Sequence, residues 1–329
     1  MKRGTDIAEA ARVLRAGGLV AFPTETVYGL GADASSDAAV ARIFAAKGRP
    51  RAHPLIVHLA PEAQLDDWAI EVPEAARTLA AKLWPGPLTI ILARGPRVSL
   101  ATTGGSPTVG LRVPAHPMAQ ELLRAFGGGV AAPSANRFGA VSPTTADHVA
   151  SDLGHDVDYI LDGGACAVGV ESTIVDLSRG RAVLLRPGGL ARETIEAIIG
   201  PLGIADEEAP AAPGTLASHY APRARVIAVQ LHDVPRAVAE ARTSLGADGV
   251  VAVLAPEGAV EAWPELAADL VVRLPDDVEG MAHSLYAALR DLDELGVNVV
   301  IAALPPASGL GEAVVDRLLR AAGPRRSES

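Results

Sequence analysis

Leu19-Val20-Ala21-Phe22 runs directly into Pro23-Thr24-Glu25-Thr26-Val27-Tyr28-Gly29-Leu30-Gly31. Four apolar residues stopped by a proline read as a short buried strand, and the polar residues after it read as a strand-end loop. Asp37–Lys47 follows as a helix, with Val40, Ile43 and Phe44 on its inner face and Ser35 or Ser36 as its cap. The same alternation then repeats. Leu55–Leu59, Leu88–Leu92, Val109–Val113, Val130–Ala132 and Thr173–Leu177 read as further strands, and Pro73–Leu83, Pro117–Phe126, Thr145–Asp152 and Arg192–Ile199 as helices. Before them, Ile7, Ala10, Val13 and Leu14 form one face of a helix that stops at Gly17-Gly18. Such alternation predicts an α/β sheet with helices packed on it.

The chain has 329 residues. Single cores stop growing at roughly 250–300 residues, so two domains are expected. The pattern breaks near Gly200, where Pro201, Pro210, Pro213, Gly214 and Pro222 follow without periodicity. Residues 201–224 therefore read as an extended linker between a domain at 1–200 and a smaller one at 225–329. In the latter, Arg225–Leu231, Gly249–Leu254, Leu270–Leu274 and Asn298–Ala303 read as strands of a small open parallel sheet. Met281, Leu285, Leu289 and Leu292 line one face of a helix between Asp276 and Leu295. The tail from Gly323 reads as frayed.

Composition excludes several classes. The chain is 49% apolar and 21% charged, which suits a globular protein. Its net charge of −10 is unsuited to holding a long polyanion by charge alone, so stable nucleic-acid binding is not expected. No stretch approaches the ~20 apolar residues of a membrane span, and no apolar run of a signal peptide opens the chain. Cys166 is the single cysteine, so no internal disulfide forms, which fits a reducing cytosol. Its small-residue surroundings read as those of an inert thiol.

Familiar signatures fail. The phosphate loop G-x-x-x-x-G-K-[ST] is absent. Gly29-Leu30-Gly31-Ala32-Asp33-Ala34 matches G-x-G-x-x-A, but Arg49-Pro50-Arg51 stands where the dinucleotide fingerprint needs an acid. The histidines lack metal-ligand spacing, and no G-x-S-x-G elbow occurs.

Four polar strand-end segments remain: residues 23–31; Lys47-Gly48-Arg49-Pro50 running on to His53 and His58; Thr108 through Arg112-Val113-Pro114; and Ala132-Pro133-Ser134-Ala135-Asn136 with Ser142-Pro143-Thr144. Loops at strand ends of α/β sheets gather in one crevice. Lys47 and Arg49 straddle a glycine, and two fixed cations are what a triphosphate requires; a helix C-terminus also favours cations through its dipole. Arg112 sits in an apolar strand and wants an anionic partner, either a protein acid or a substrate carboxylate. Ser134 and Asn136 suit phosphate or ribose oxygens, and equally suit a turn. Ser172 opens a strand and Arg186 closes a later one, adding a hydroxyl and a cation.

The segments F-P-T-E-T-V-Y-G-L-G-A-D-A at 22–34, K-G-R-P at 47–50, P-L-I-V-H at 54–58, W-P-G-P-L-T at 84–89, V-G-L-R-V-P at 109–114, A-P-S-A-N at 132–136 and G-V-E-S-T-I-V-D at 169–176 resemble the threonylcarbamoyl-AMP synthase family. The likeness covers nearly all of residues 5–200 in order. Pro213-Gly214 and His219-Tyr220-Ala221-Pro222 are similar to the linker of its long, two-domain form. The resemblance implies a YrdC-like fold, a concave twisted mixed sheet with helices, plus a small Rossmann-like open α/β domain. It implies condensation of L-threonine, bicarbonate and ATP to threonylcarbamoyl-adenylate and pyrophosphate, a step in tRNA modification.

The same resemblance places a catalytic tetrad on Lys47, Arg49, Ser134 and Asn136. It places threonine binding on Thr26, His58, Arg112, Ala132 and Ser172, and ATP binding on Arg49, His53, Thr108, Ser134, Ser142, Arg186 and Tyr220. His53 stands where the family commonly has asparagine. Nucleotidyl transfer is mostly positioning and charge stabilisation, so no acidic pair for a metal is needed; Mg²⁺ is expected to arrive on the triphosphate. The linker around His219-Tyr220 is expected to shield the adenylate. A monomer that hands its product to a tRNA threonylcarbamoyl transferase is the expected setting. An RNA-binding module and a related carbamoyl-adenylate-forming enzyme are the alternatives.

Overall fold

The computed structural model describes residues 2–215, 219–246 and 248–324. The chain divides into two compact units. The first comprises residues up to Phe138 and Ser142–Thr215; the second comprises Gly139–Val141 and the chain from 216 onward.

The first unit is built on one mixed sheet. Its strands lie in the order Lys2–Gly4, Tyr159–Leu161, Val20–Phe22, Gly29–Asp33, Val130–Ala131, Ile56–His58, Thr108–Arg112, Leu88–Arg94, Thr173–Asp176, Val183–Arg186 and Gly203–Ile204, with Ala69–Ile70 pairing outside this path on Leu88–Arg94. Parallel and antiparallel pairs are mixed. Side chains alternate between faces along a strand. Leu55 and Val57, Leu111 and Val175 point into the main core, which takes in Val40, Ile43 and Phe44 of Asp37–Lys47, Leu79 of Glu74–Leu83, Val149 of Ala146–Leu153 and Ile195 of Arg192–Ile199. Val20, Phe22 and Val130 lie on the opposite face, under Leu14 of Ile7–Arg15 and Leu122 of Pro117–Phe126. That second face also carries an apolar patch of Ile56, Ile91, Ile174, Val183 and Leu185, against which Ala212 packs. Part of the proline-rich segment after Gly200 therefore lies on the sheet face of the first unit.

Helix limits follow from local chemistry. The Ser36 hydroxyl accepts from Ala39 N–H at the start of Asp37–Lys47, and Gly48 ends it in the left-handed region at φ 64°. Pro117 opens its helix behind His116, whose ring nitrogen accepts from Met118 N–H. Gly29–Asp33 is a strand that the glycine-rich sequence G-L-G-A-D conceals. A Cβ on Gly31 would stand 2.8 Å from Val130 Cγ1 and 2.9 Å from Phe22 Cε1, so close packing requires glycine there.

The second unit holds a parallel sheet in the order Arg225–Gln230, Val299–Leu304, Val251–Pro256, Leu270–Leu274. The apolar runs V-A-V-L-A and V-V-I-A-A suit central strands buried on both faces. Helix Val234–Leu245 packs on one face; Val278–Glu294 and Gly311–Ala321 pack on the sheet as well, outside that cluster. Arg317 is fully buried, its guanidinium carbon 4.9 Å from the Tyr220 ring centre, and Tyr220 stacks on Tyr286 at 5.8 Å. These contacts hold Tyr220 at φ 60°, a conformation disfavoured for an aromatic residue. The expectation of a frayed tail falls mostly on residues 325–329, outside the described residues.

Candidate active site

The sheet face that carries Ile56 and Ile174 also carries charge. His58 lies two residues beyond Ile56, and Arg112 follows core-facing Leu111; the parallel register sets His58 directly beside Arg112. Arg112 is only 4% exposed. Burial and the adjacent Arg112 cation push His58 down to about 3, so its ring is neutral at pH 7. Of the two partners left open for Arg112, the protein supplies an acid: Glu25 Oε1 lies 2.8 Å from Arg112 Nη2. Thr26 is next in the chain, fully buried, its hydroxyl 2.8 Å from that of Thr24. Ala132 joins the same region, its N–H donating to Ile56 O.

Lys47 and the Ser134–Asn136 segment meet physically. Lys47 Nζ donates at 2.5 Å to the carbonyls of both Ser134 and Asn136, and the Lys47 carbonyl accepts from Phe138 N–H. Burial, then the Arg49 cation, hold the Lys47 ammonium well below its usual range. An ammonium has three donors, so one N–H remains beyond these two carbonyls. Gly29 and Ser134 bridge in antiparallel fashion, Leu30 N–H donates to Pro133 O and Ala135 N–H to Tyr28 O, so residues 28–30 and 133–135 are zipped together. Arg49 donates to Pro54 O and lies over the Phe138 ring, and His53 packs edge-on against the same ring.

Farther along the sheet, Ser172 Oγ meets Thr89 Oγ1 at 2.8 Å, while Arg186 donates to Ser172 O and to Pro213 O. Ser142 Oγ donates to Glu171 Oε1 at 2.6 Å. The Thr108 hydroxyl pairs with that of Ser106. Tyr220 belongs to the second unit. Cys166 is buried, and burial pushes its thiol up to about 12, which removes nucleophilic character.

Sequence reasoning passed over Glu25, Glu171 and Phe138. A carboxylate between two threonines has no cation at helical spacing to mark it, and its partner is distant in the chain. Lys47, Arg49, Arg112 and Arg186 are all buried. Lysine and arginine are seldom buried, so four of them in the first unit of an acidic chain mark a region suited to anions. Among the described residues no acidic or histidine group has the arrangement to hold a metal, and no helix is long and apolar enough to cross a membrane.

A family model described as telomere recombination, covering Sua5, YciO and YrdC, matches residues 12–188, and one described as threonylcarbamoyl-AMP synthase, C-terminal domain, matches residues 190–323. The chain belongs to the threonylcarbamoyl-AMP synthase family. It is 45% identical to the threonylcarbamoyl-AMP synthase of Pyrococcus abyssi, with 96% of this chain and 94% of the relative covered. Identity to the Bacillus subtilis threonylcarbamoyl-AMP synthase is 43%, over 97% of this chain and 93% of that one. The crystal structure of P. abyssi Sua5 complexed with L-threonine superposes with a TM-score of 0.89 at 42% identity, covering 98% of this chain and 96% of that chain. The fold expected from the sequence, a large mixed sheet with helices plus a small parallel α/β domain, is the fold of this family.

Proposed function

We propose that the chain is an L-threonylcarbamoyladenylate synthase, condensing L-threonine, bicarbonate and ATP into threonylcarbamoyl-AMP and pyrophosphate for tRNA modification. The observation that carries this reading is that an acidic member of the family buries four cations, Lys47, Arg49, Arg112 and Arg186, in its first unit. Arg112, His58, Thr26, Ala132 and Ser172 take threonine, with Arg112 on its carboxylate, because a guanidinium fork matches a carboxylate. Arg49, His53, Thr108, Ser134, Ser142 and Arg186 take ATP, and Tyr220 is assigned to ATP by the family likeness alone. Lys47, Arg49, Ser134 and Asn136 form the catalytic set.

In this reading threonine, bound as its ammonium, loses a proton to solvent; the neutral amine then attacks the bicarbonate carbon, water leaves and a carbamate forms. A carbamate oxygen then attacks the α-phosphorus and pyrophosphate leaves. The protein's share is alignment and charge stabilisation. Mg²⁺ would arrive on ATP and would supply neutralisation of its phosphate charge, without calling on the protein's acids: Glu25 already pairs with Arg112, and Glu171 accepts from Ser142. We place the enzyme in the cytoplasm as a monomer that passes its product to a tRNA threonylcarbamoyl transferase. Pyrophosphate release from ATP tests the reading. It is expected only with threonine and bicarbonate together; release without either contradicts it.

A further inference from the structure

The Glu25–Arg112 pair is close but poorly aligned. Glu25 Oε1 and Arg112 Nη2 lie 2.8 Å apart, yet neither atom has a hydrogen-bond partner among the described residues. His58 Nδ1, beside Arg112 in the sheet, is likewise buried without one. Buried polar atoms are nearly always satisfied, so three adjacent exceptions call for an explanation. Glu25 is held to present this oxygen. Its Oε2 accepts from Ala115 N–H at 3.0 Å, and its backbone carbonyl accepts from Val168 N–H at 2.7 Å. The anchored carboxylate keeps Oε1 turned toward Arg112.

The proposed threonine site explains such a surface. A free α-amino acid carries an ammonium and a carboxylate roughly 3 Å apart, since both hang on one Cα. A receptor for it needs an anion and a cation side by side. We propose that Glu25 is a specificity-determining residue for the reaction, its Oε1 accepting from the ammonium of the incoming amino acid while Arg112 takes the carboxylate. The inference rests on the threonine assignment of Arg112 and adds the group that recognises the other charge. Glu25 thereby selects free amino acids over 2-hydroxy acids, and the substrate supplies the hydrogen bonds that the ion pair itself lacks.

The test is calorimetric titration of the full-length chain with L-threonine and with 2,3-dihydroxybutyrate, which carries a hydroxyl in place of the ammonium. Wild type is expected to bind threonine at least about tenfold more tightly than the analogue, the effect of one charged hydrogen bond. Glu25→Gln is expected to weaken threonine about ten- to a hundredfold and leave the analogue within about twofold. Equal weakening of both ligands makes Glu25 a mere support for Arg112 and overturns the proposal, as does unchanged threonine binding. Should Glu25→Gln fail to fold, Glu25→Asp, which keeps the charge but draws the carboxylate back by one methylene, takes its place: threonine weakened with the analogue held within about twofold upholds the proposal, and equal weakening of both ligands or unchanged threonine binding overturns it. Failure of wild type to bind threonine at all refutes the threonine site itself, a result distinct from loss of discrimination.

Discussion

Replacing Arg112 by Met in the substrate-free protein isolates the energetics of the site. Methionine keeps much of the side-chain volume, so little cavity is made. The variant leaves the Glu25 carboxylate, whose side chain is 10% exposed, without its cation at 2.8 Å. Stranding one partner of a buried ion pair costs about 3–5 kcal/mol. Glu25→Gln combined with Arg112→Met leaves no buried charge at this position, and is expected to return to within about 1–2 kcal/mol of wild type. The assay is urea unfolding followed through Trp68 and Trp84, with Trp263 of the second unit replaced by Phe in every protein compared. A double variant as unstable as Arg112→Met alone would refute the reasoning, because the loss would then not come from a stranded charge. A loss below about 1 kcal/mol in Arg112→Met would do the same.

The remaining expectations are shorter. His58 is held near 3 in the folded chain against an ordinary value of 6.5, so the unfolded chain binds the extra proton between those values and stability falls as pH drops through that window. About 2 kcal/mol is expected to be lost between pH 7 and pH 5, and His58→Gln should lack that component; parallel pH–stability curves for the two proteins would discredit it. Lys47→Ala is expected to abolish threonine-dependent pyrophosphate release, and hydrogen exchange should show the 134–138 segment loosened, since Lys47 Nζ ties two of its carbonyls; wild-type turnover would remove Lys47 from the catalytic set. A chain ending at Gly200 is expected to be less stable than one ending at Thr215, because it uncovers Ile56, Ile91, Ile174, Val183 and Leu185 and deprives Arg186 of the Pro213 carbonyl; equal melting temperatures would contradict the packing role of Ala212.

What was legible in the sequence follows physical range. Asp37–Lys47, Pro117–Phe126 and Arg192–Ile199 stand in the structure as read, because helix stripes, caps and terminal glycines are local signals. Gly29–Asp33 escaped, since its glycines have low strand propensity and are demanded by Phe22 and Val130, which the chain alone does not place beside them. Val234–Leu245 and Gly311–Ala321 were not assigned, although each carries a buried stripe at helical spacing, Val234, Val238 and Ala241 in the first and Val314, Leu318 and Ala321 in the second. The Lys47 and Ser134–Asn136 segments were singled out as polar residues at strand ends, and they do meet. Glu25 was not singled out, because its importance lies in a partner reached only through the folded sheet. The apolar seat of Ala212 was equally hidden, since a proline-rich stretch without periodicity reads as linker whether or not it packs.

The central claim is that this site joins threonine, bicarbonate and ATP. Incubating the full-length chain with ATP, labelled bicarbonate and each common amino acid in turn, and following label into an AMP adduct by chromatography, tests it most directly. The account predicts a labelled adduct with L-threonine and little with the others. No adduct with threonine, or equal adduct with every amino acid, would contradict it.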